Sequence, residues 1–198
     1  AYTVPPLFSL SLADALDTPV RHNQAGACFC PHLFVSLSAE TDMKRLELLA
    51  PARDYASAVA AVDAGADAIY IGGARFGARH AAANSVDDIR RAAEYAHLYG
   101  VRVHATLNTL LYDDELAAAE RQARELVAAG VDALIVQDMA LRRMSLPVEL
   151  HASTQTAIRT PAEAAFLGSA GFARVILERA LSLDEIRAIC RATTAEVE

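Results

Sequence analysis

From residue 43 onward, short apolar runs alternate with Ala-rich segments whose apolar residues recur at helical spacing. Three segments share one order of helical tail, glycine, polar link and strand: AVDAGADAIYIGG (61–73), LVAAGVDALIVQD (126–138) and LGSAGFARVILER (167–179). A fourth copy is YAHLYGVRVHATLN (95–108). Because a glycine just past a helix end readily adopts positive φ, the pattern predicts repeated helix–strand units.

The same pattern gives the approximate bounds of each element. Strands are predicted near 45–50, 68–72, 101–107, 133–137, 148–154 and 174–178. Helices are predicted near 54–64, 86–99, 113–129, 161–170 and 182–192. Helix start signals support these bounds, namely Ser85, Asp113 with Asp114, Thr160 before Pro161, and the capping box of Ser182 and Glu185.

Consecutive βα units predict a parallel sheet, either open or closed. The central strands of an open doubly wound sheet are continuous apolar runs, whereas VRVHATLN (101–108) and ELHASTQ (149–155) alternate between apolar and polar residues. We therefore predict a TIM-like (β/α) barrel whose interior is polar near the catalytic end. Six predicted strands do not close an eight-stranded barrel, so we expect the six N-terminal βα units of a truncated one, with a seventh strand due at AEVE (195–198).

Residues 1–42 differ from the rest of the chain. They contain four of the seven prolines and two of the three cysteines, and they show no sustained period. Since Met43-Lys44-Arg45 resembles a chain start, we interpret 1–42 as a disordered or mistranslated leader, with a genuine N-terminal extension as the alternative. The barrel domain is then 43–198. Cys28-Phe-Cys30-Pro-His32 only weakly resembles a metal motif, and no metal is predicted.

Charge and cysteine content narrow the functional classes. The net charge is -7, from 18 Lys and Arg against 25 Asp and Glu, which disfavours non-specific coating of nucleic acid but permits a local basic site. Three cysteines form no disulfide framework, so a reducing, cytoplasmic location is expected. No apolar run approaches the roughly 18–20 residues of a membrane span.

In a barrel of this type, functional side chains lie at the carboxyl ends of the strands. Strand alternation predicts an inward set of Glu47, Tyr70, Gly72, His104, Thr106, Asn108, Gln137 or Asp138, His151, Ser153, Gln155 and Glu178. The candidate catalytic residues among them are Glu47, His104, Asn108, His151, Ser153 and Gln155. Structural hydrogen bonds are the alternative role for each one, but so many polar groups in one core favour a wet cavity.

The loops after the strands are rich in arginine. The residues expected there are Arg75, Arg79, His80, Arg142, Arg143, Arg159 and Arg179. We predict that most of these arginines converge on one rim and bind an anion, either a polycarboxylate or RNA phosphate. The alternative is that they are solvated or paired with Asp138 and Glu178. The candidate substrate-binding residues are Tyr70, Gly72, Gly73, Arg75, Arg79, Gln137, Asp138, Arg159, Glu178 and Arg179.

The stretch ELHASTQT (149–156) suggests a hydrolase, because His151 and Ser153 lie two residues apart. Along a strand, however, their Cα atoms are about 6.6 Å apart, while a nucleophile and its base need a direct hydrogen bond. A dyad within this strand is therefore disfavoured. A metal held by His104, His151 and Glu47 is also less favoured than neutral imidazoles bonded to their neighbours.

Six blocks of the sequence, taken in order, resemble the peptidase U32 family of collagenase-like proteases. They are ELLAPA (47–52), AGADAIYIGGARFGAR (64–79), ATLNTLLYDDEL (105–116), GVDALIVQD (130–138), LHASTQT (150–156) and ALSLDEI (180–186). The chain is most similar to the branch linked to 5-hydroxylation of a cytidine in 23S ribosomal RNA. A sister branch hydroxylates the wobble uridine of tRNA.

The resemblance implies a barrel-like domain that acts in RNA base hydroxylation, with RNA and a small dicarboxylate such as prephenate as partners. It also implies a cysteine region beyond the barrel that holds an iron–sulfur cluster in several relatives. No cofactor is expected in this chain itself, since Cys190 lies in a predicted helix. A true peptidase and a non-catalytic scaffold remain the alternatives.

Overall fold

The computed structural model describes residues 46–78 and 84–198, together with the backbone of two short strands, β1 and β2. These strands, Arg21–His22 and Cys28–Phe29, pair antiparallel. The remaining residues of the predicted leader, with Arg79 and His80, lie outside the described residues. The leader therefore stays a prediction, and the unit described below is Leu46–Glu198.

Strands and helices alternate through this unit. The strands are β3 (Leu49–Ala52), β4 (Ala68–Gly72), β5 (Arg102–Leu107), β6 (Ala133–Val136), β7 (Glu149–Ala152), β8 (Arg174–Val175) and β9 (Glu196–Val197). The helices are α1 (Tyr55–Asp63), α2 (Val86–Leu98), α3 (Leu116–Ala128), α4 (Ala140–Arg143), α5 (Pro161–Ser169) and α6 (Leu183–Ala192). Within the described part of the chain, none of these helices has the length and apolar character to cross a membrane.

The seven strands form one parallel sheet whose spatial order follows the chain from β3 to β9. Sequential order with helices between the strands makes a partial TIM-like (β/α) barrel, so the predicted fold class is confirmed. The seventh strand, β9, pairs with β8 at the predicted place.

Local signals explain where the helices begin and end. Ser85, Thr160 and Ser182 each form a complete capping box with the residue three positions later, which satisfies free N–H groups of the first turn. Four glycines follow helices at positive φ: Gly65, Gly100, Gly130 and Gly171. The predicted helix–glycine–strand repeat is therefore confirmed.

The apolar face of the sheet packs against the helices, as the alternation predicts. Ile71 on β4, Val103 on β5 and Leu134 on β6 are fully buried in this core. The other face of the strands points into the barrel interior; it carries polar residues on β4, β5 and β7, whereas β6 presents Ala133 and Ile135 there.

Two predicted bounds are wrong at the start of an element. The first strand is Leu49–Ala52 rather than 45–50. It can include Pro51 because β3 is at one end of the strand order, where Pro51 needs no ladder donor. Helix α3 begins at Leu116 rather than at residue 113.

Three further differences from the predicted elements lie where strands end. Helix α4 was not predicted, and β8 ends at Val175 rather than at residue 178. The strand β7 ends at Ala152, and Thr154–Thr156 forms a 3-10 turn.

Candidate functional site

The inward residues of β5 and β7 form a ladder of three levels along the barrel axis. Towards the carboxyl ends, β5 presents Arg102, His104 and Thr106, and β7 leads through Glu149 and His151 to Ser153. Successive levels are about 6.6 Å apart along a strand. We call them the ionic layer, the imidazole layer and the rim. The imidazole layer is His104 and His151. The ionic layer comprises Arg102, Glu149, Arg174, Glu47, Glu196 and Glu198. The rim is the set of polar residues at the carboxyl ends of the strands and in the loops that follow, namely Asn108, Ser153, Arg75, Arg159 and Arg179.

The ionic layer centres on Arg174, the first residue of β8, whose side chain is 6% exposed. Its guanidinium donates to both carboxylate oxygens of Glu47, at 2.5 and 3.1 Å. It also donates to Glu196 at 2.6 Å and to Glu198 at 3.3 Å. One arginine thus joins β8 and β9 to the segment that leads into β3.

The pKa values in this layer follow from these contacts. The hydrogen bond from Arg174 lowers the pKa of Glu47 below its usual value. The hydrogen bond from Arg102, at 2.6 Å, lowers the pKa of Glu149 in the same way. Burial raises the pKa of Glu198. Glu47 does face the interior as predicted, but Arg174 engages its carboxylate in the ionic layer, away from the rim.

The imidazole layer consists of two buried rings. The ring centroids of His104 and His151 are 4.8 Å apart in an edge-to-face arrangement at 83°. Neither ring nitrogen of His104, nor Nδ1 of His151, has a hydrogen-bond partner among the described residues. His151 Nε2 lies 3.5 Å from a carboxylate oxygen of Glu149.

Both imidazoles are neutral at physiological pH. Burial, as the main cause, lowers the pKa of His104 and of His151 to about 4, because a charged ring is poorly solvated there. Nearby Arg102 and Arg174 act in the same direction. Within residues 46–78 and 84–198, no group of three or more His, Cys, Asp or Glu is arranged to hold a metal ion.

At the rim, Asn108 and Ser153 are brought together. Asn108 Nδ2 donates to Ser153 Oγ at 3.2 Å, and Asn108 Oδ1 accepts from the backbone N–H of Ala78 at 2.9 Å. Ser153 Oγ also accepts from the backbone N–H of Gln155 at 3.2 Å. The hydrogen bonds described for Ser153 do not include His151.

Gln155 does not continue the inward face of β7, as strand alternation predicted. It lies in the 3-10 turn and is exposed. Its backbone carbonyl accepts a hydrogen bond from Gln137 Nε2 at 3.1 Å. Gln137 is half-buried beside the mouth of the barrel. Asp138 accepts from the backbone N–H groups of Leu111 and Ala140, so its carboxylate joins two loops.

The loop 73–78 lies over the rim and is anchored from several sides. The backbone carbonyl of Arg75 accepts from Gln122 Nε2 at 3.0 Å, and that of Phe76 accepts from Thr109 Oγ1 at 3.3 Å. Phe76 is buried at a φ of 57°, an uncommon conformation for a non-glycine residue. The candidate residues Gly72 and Gly73 lead into this loop, and Tyr70 is half-buried two residues earlier on the same strand.

The predicted arginine rim is formed only in part. Arg75, Arg159 and Arg179 are exposed in the loops after β4, β7 and β8, beside half-buried Glu178. The prediction for Arg142 is wrong, because its Nε donates to the carbonyl of Ala170 at 2.7 Å, where α5 ends at the opposite side of the barrel. Arg142 lies in the unpredicted helix α4, which ends at the exposed Arg143.

Two interior arginines were missed by the sequence prediction. Arg102 has the same strand parity as His104, and Arg174 has the same parity as Glu178. Alternation could therefore have placed both inside the barrel, but each begins its strand and looks like a loop residue.

Comparison with known proteins agrees with this architecture. The family profile described as Peptidase family U32 matches residues 53–198. The 23S rRNA 5-hydroxycytidine C2501 synthase of Escherichia coli strain K12 is 55% identical over 155 residues, covering 78% of this chain and 24% of that protein. The tRNA hydroxylation protein P1 of Bacillus subtilis strain 168 is 34% identical over 160 residues, covering 78% of this chain and 38% of that protein.

A solved structure shows the same fold. The structure of the U32 peptidase Mk0906 aligns with a TM-score of 0.65 at 17% identity, over 77% of this chain and 67% of that chain. The present chain spans about a quarter of the rRNA synthase and well under half of the tRNA hydroxylation protein.

Proposed function

Because the chain belongs to peptidase family U32, we propose that it is the barrel part of an enzyme that hydroxylates an RNA base. The favoured product is 5-hydroxycytidine in 23S rRNA, with hydroxylation of a tRNA wobble uridine as the second possibility within the same class. The observation that carries this proposal is the 55% identity to the rRNA hydroxycytidine synthase over 155 residues.

The rim supplies groups suited to such a substrate. Arg75, Arg159 and Arg179 are exposed cations that suit phosphates of RNA or the carboxylates of a small donor. At the same ends of the strands, the hydrogen bonds described above leave one amide N–H of Asn108 and the O–H of Ser153 as donors, and these can bind the edge of an extruded base. Replacing C5–H of a base by C5–OH is a two-electron oxidation, for which we propose a prephenate-like dicarboxylate as hydroxyl donor. In the balanced exchange the C–OH bond of the donor breaks as the C–OH bond of the base forms, and the donor takes up hydrogen in its place, so that it leaves reduced by two electrons.

An iron–sulfur cluster, expected from the family resemblance, does not fit the described residues. Such clusters are usually held by four cysteine thiolates, whereas the described part of the chain contains the free, exposed Cys190. We therefore propose that any cluster lies outside the barrel, and no reaction step is assigned to it.

Proteolysis is not proposed, because the geometry provides no activated nucleophile at the best serine. Ser153 Oγ is engaged by Asn108 and by a backbone N–H. His151, which could have served as a base, packs instead on His104.

The proposal is tested by deleting the full-length gene in its host and quantifying 5-hydroxycytidine in 23S rRNA and 5-hydroxyuridine in tRNA by mass spectrometry. We expect one modification to disappear and to return with the wild-type gene. Replacing Arg75 and Arg179 together by Gln should reduce the restored level, while Arg121→Gln combined with Arg191→Gln, exposed on α3 and α6, removes the same two charges elsewhere and serves as the control. Unchanged levels of both nucleosides after deletion would refute the proposal.

A further inference from the structure

The buried imidazole layer provides hydrogen-bonding groups that the protein itself leaves unused. His104 and His151 are 0% and 1% exposed, yet three of their four ring nitrogens have no partner among the described residues. An unpaired polar group in a protein interior costs about 1–3 kcal/mol. Two adjacent residues of this kind, aligned along the same interior as the rim, indicate a place where something else binds.

The charges around the imidazole layer limit what can bind there. Below it, the two guanidinium groups of Arg102 and Arg174 face four carboxylates, those of Glu47, Glu149, Glu196 and Glu198. Even with Glu198 protonated, the carboxylates outnumber the guanidinium groups. Because both guanidinium groups are already paired with carboxylates, an anionic group placed next to the rings would lose its hydration without gaining a free cationic partner.

A metal ion is also disfavoured at this layer. Among the described residues, the two imidazoles have no third side chain beside them that could also ligate a metal ion. The nearby carboxylates of Glu47 and Glu149 are bonded to arginines instead. Both guanidinium groups would also repel a divalent cation.

Neutral imidazoles are well suited to an uncharged polar group. The contact of His151 Nε2 with Glu149 favours a proton on Nε2 and leaves Nδ1 as an acceptor. His104 offers one donor and one acceptor in either tautomer. A hydroxyl group, which both donates and accepts, can satisfy a nitrogen on each ring.

We propose that the imidazole layer is a binding site for the hydroxyl or carbonyl group of a small, uncharged segment of a ligand that enters past Asn108 and Ser153. Any carboxylates of that ligand stay at the arginines of the rim. The inference rests on the proposed function in one respect, that the ligand is the small-molecule partner of the RNA reaction. The binding test below uses no RNA, so it can fail or succeed independently of that function.

The test uses two probes of similar size, propane-1,2-diol and lactate. They share a CH3–CHOH unit, and lactate has a carboxylate where the diol has a CH2OH group. The full chain, labelled with 15N in its histidines, is titrated with each probe while the ring nitrogen resonances are recorded by NMR. We expect saturable shifts of the His104 and His151 signals with the diol, and binding of lactate at this layer at least about tenfold weaker, because its carboxylate would lose its hydration in this buried layer. Exposed His97, bonded to Asp132 at 3.0 Å, provides an internal reference that should not shift with either probe.

Two variants assign the signals and control for unfolding. His104→Phe and His151→Phe keep a ring of similar bulk and should abolish the diol-dependent shift of the remaining partner, whereas His97→Phe should leave it intact. If a Phe variant does not fold, the wild-type titration alone still decides. Equal responses to lactate and to the diol, or no response to either, would overturn the proposal, and the second result would mean that the layer is a hydrated structural core.

Discussion

The ionic layer and the rim belong to the same barrel interior, but their polar groups are engaged in different ways. In the ionic layer, Arg174 alone makes contacts with three carboxylates. At the rim, Asn108 and Ser153 share a single hydrogen bond at 3.2 Å, and the neighbouring arginines are exposed. The first arrangement holds strands together, whereas the second retains capacity for a ligand.

This division agrees with the usual distribution of roles in (β/α) barrels, where the amino-terminal side stabilises and the carboxyl-terminal side carries the site. It also changes the interpretation of Glu47. The residue was predicted as a catalytic candidate, but its contacts with Arg174 make a structural role the simpler explanation. Whether Glu47 also acts in catalysis stays a prediction.

The largest effect is expected from Arg174→Met, which keeps much of the side-chain bulk and removes the charge. It leaves three carboxylates in the ionic layer without the guanidinium of Arg174. Breaking a fully buried pair costs about 3–5 kcal/mol, and because these carboxylates are partly exposed we expect a loss below that range. Denaturant unfolding should show this loss as a lower midpoint. Arg179→Met, on the exposed rim, should leave the midpoint close to that of the wild type. A loss as small for Arg174 as for Arg179 would contradict the proposed division.

The next effect is a pH dependence that arises from the imidazole layer. The ordinary pKa of histidine is 6.5, and those of His104 and His151 are about 4 in the folded chain. Between these values the unfolded state binds protons that the folded state does not, so the free energy of unfolding falls as the pH falls through this range. At pH 5.5 we expect a total loss of roughly 2–3 kcal/mol relative to pH 7.5.

Unfolding midpoints measured at both pH values test this expectation. Glu47 contributes a separate loss of unfolding free energy at lower pH, because its pKa is lowered in the folded chain. This loss begins as the pH falls below the usual glutamate pKa of 4.5 and is complete below the lowered folded pKa. A double variant, His104→Phe with His151→Phe, should remove most of the dependence between pH 7.5 and 5.5. A wild-type protein that is equally stable at both pH values would show that the rings titrate normally.

The sequence alone predicts the barrel and the inward position of His104 and His151, because both depend on short-range periodicity. It predicts imidazoles bonded to their neighbours, whereas three of the four ring nitrogens have no partner among the described residues. Alternation with period 2 places His104, His151 and Ser153 on the inner face wherever a regular strand exists. The same rule fails at Gln155, since the chain has already left β7 for a 3-10 turn.

Other features depend on contacts that no local pattern contains. Arg174 meets Glu47 across 127 positions of sequence, and this contact arises only because the sheet curls. Arg142 was misplaced because four residues of helix α4 turn it towards the end of α5. Long-range curvature and short irregular helices therefore account for the main errors in the site prediction.

The smallest change in stability, with the most specific functional consequence, is expected at Asn108. Two side chains anchor the loop 73–78 by one hydrogen bond each: Asn108 accepts one from the loop backbone, and Gln122 donates one to it. Of the two, Asn108 also donates to Ser153 at the rim. Asn108→Ala and Gln122→Ala should each cost about 1 kcal/mol of unfolding free energy. In full-length protein restored to the deletion strain, Asn108→Ala should lower RNA hydroxylation far more than Gln122→Ala does. Equal losses of modification would mean that Asn108 acts only by holding the loop, and the rim would then lose its best supported polar contact to a ligand.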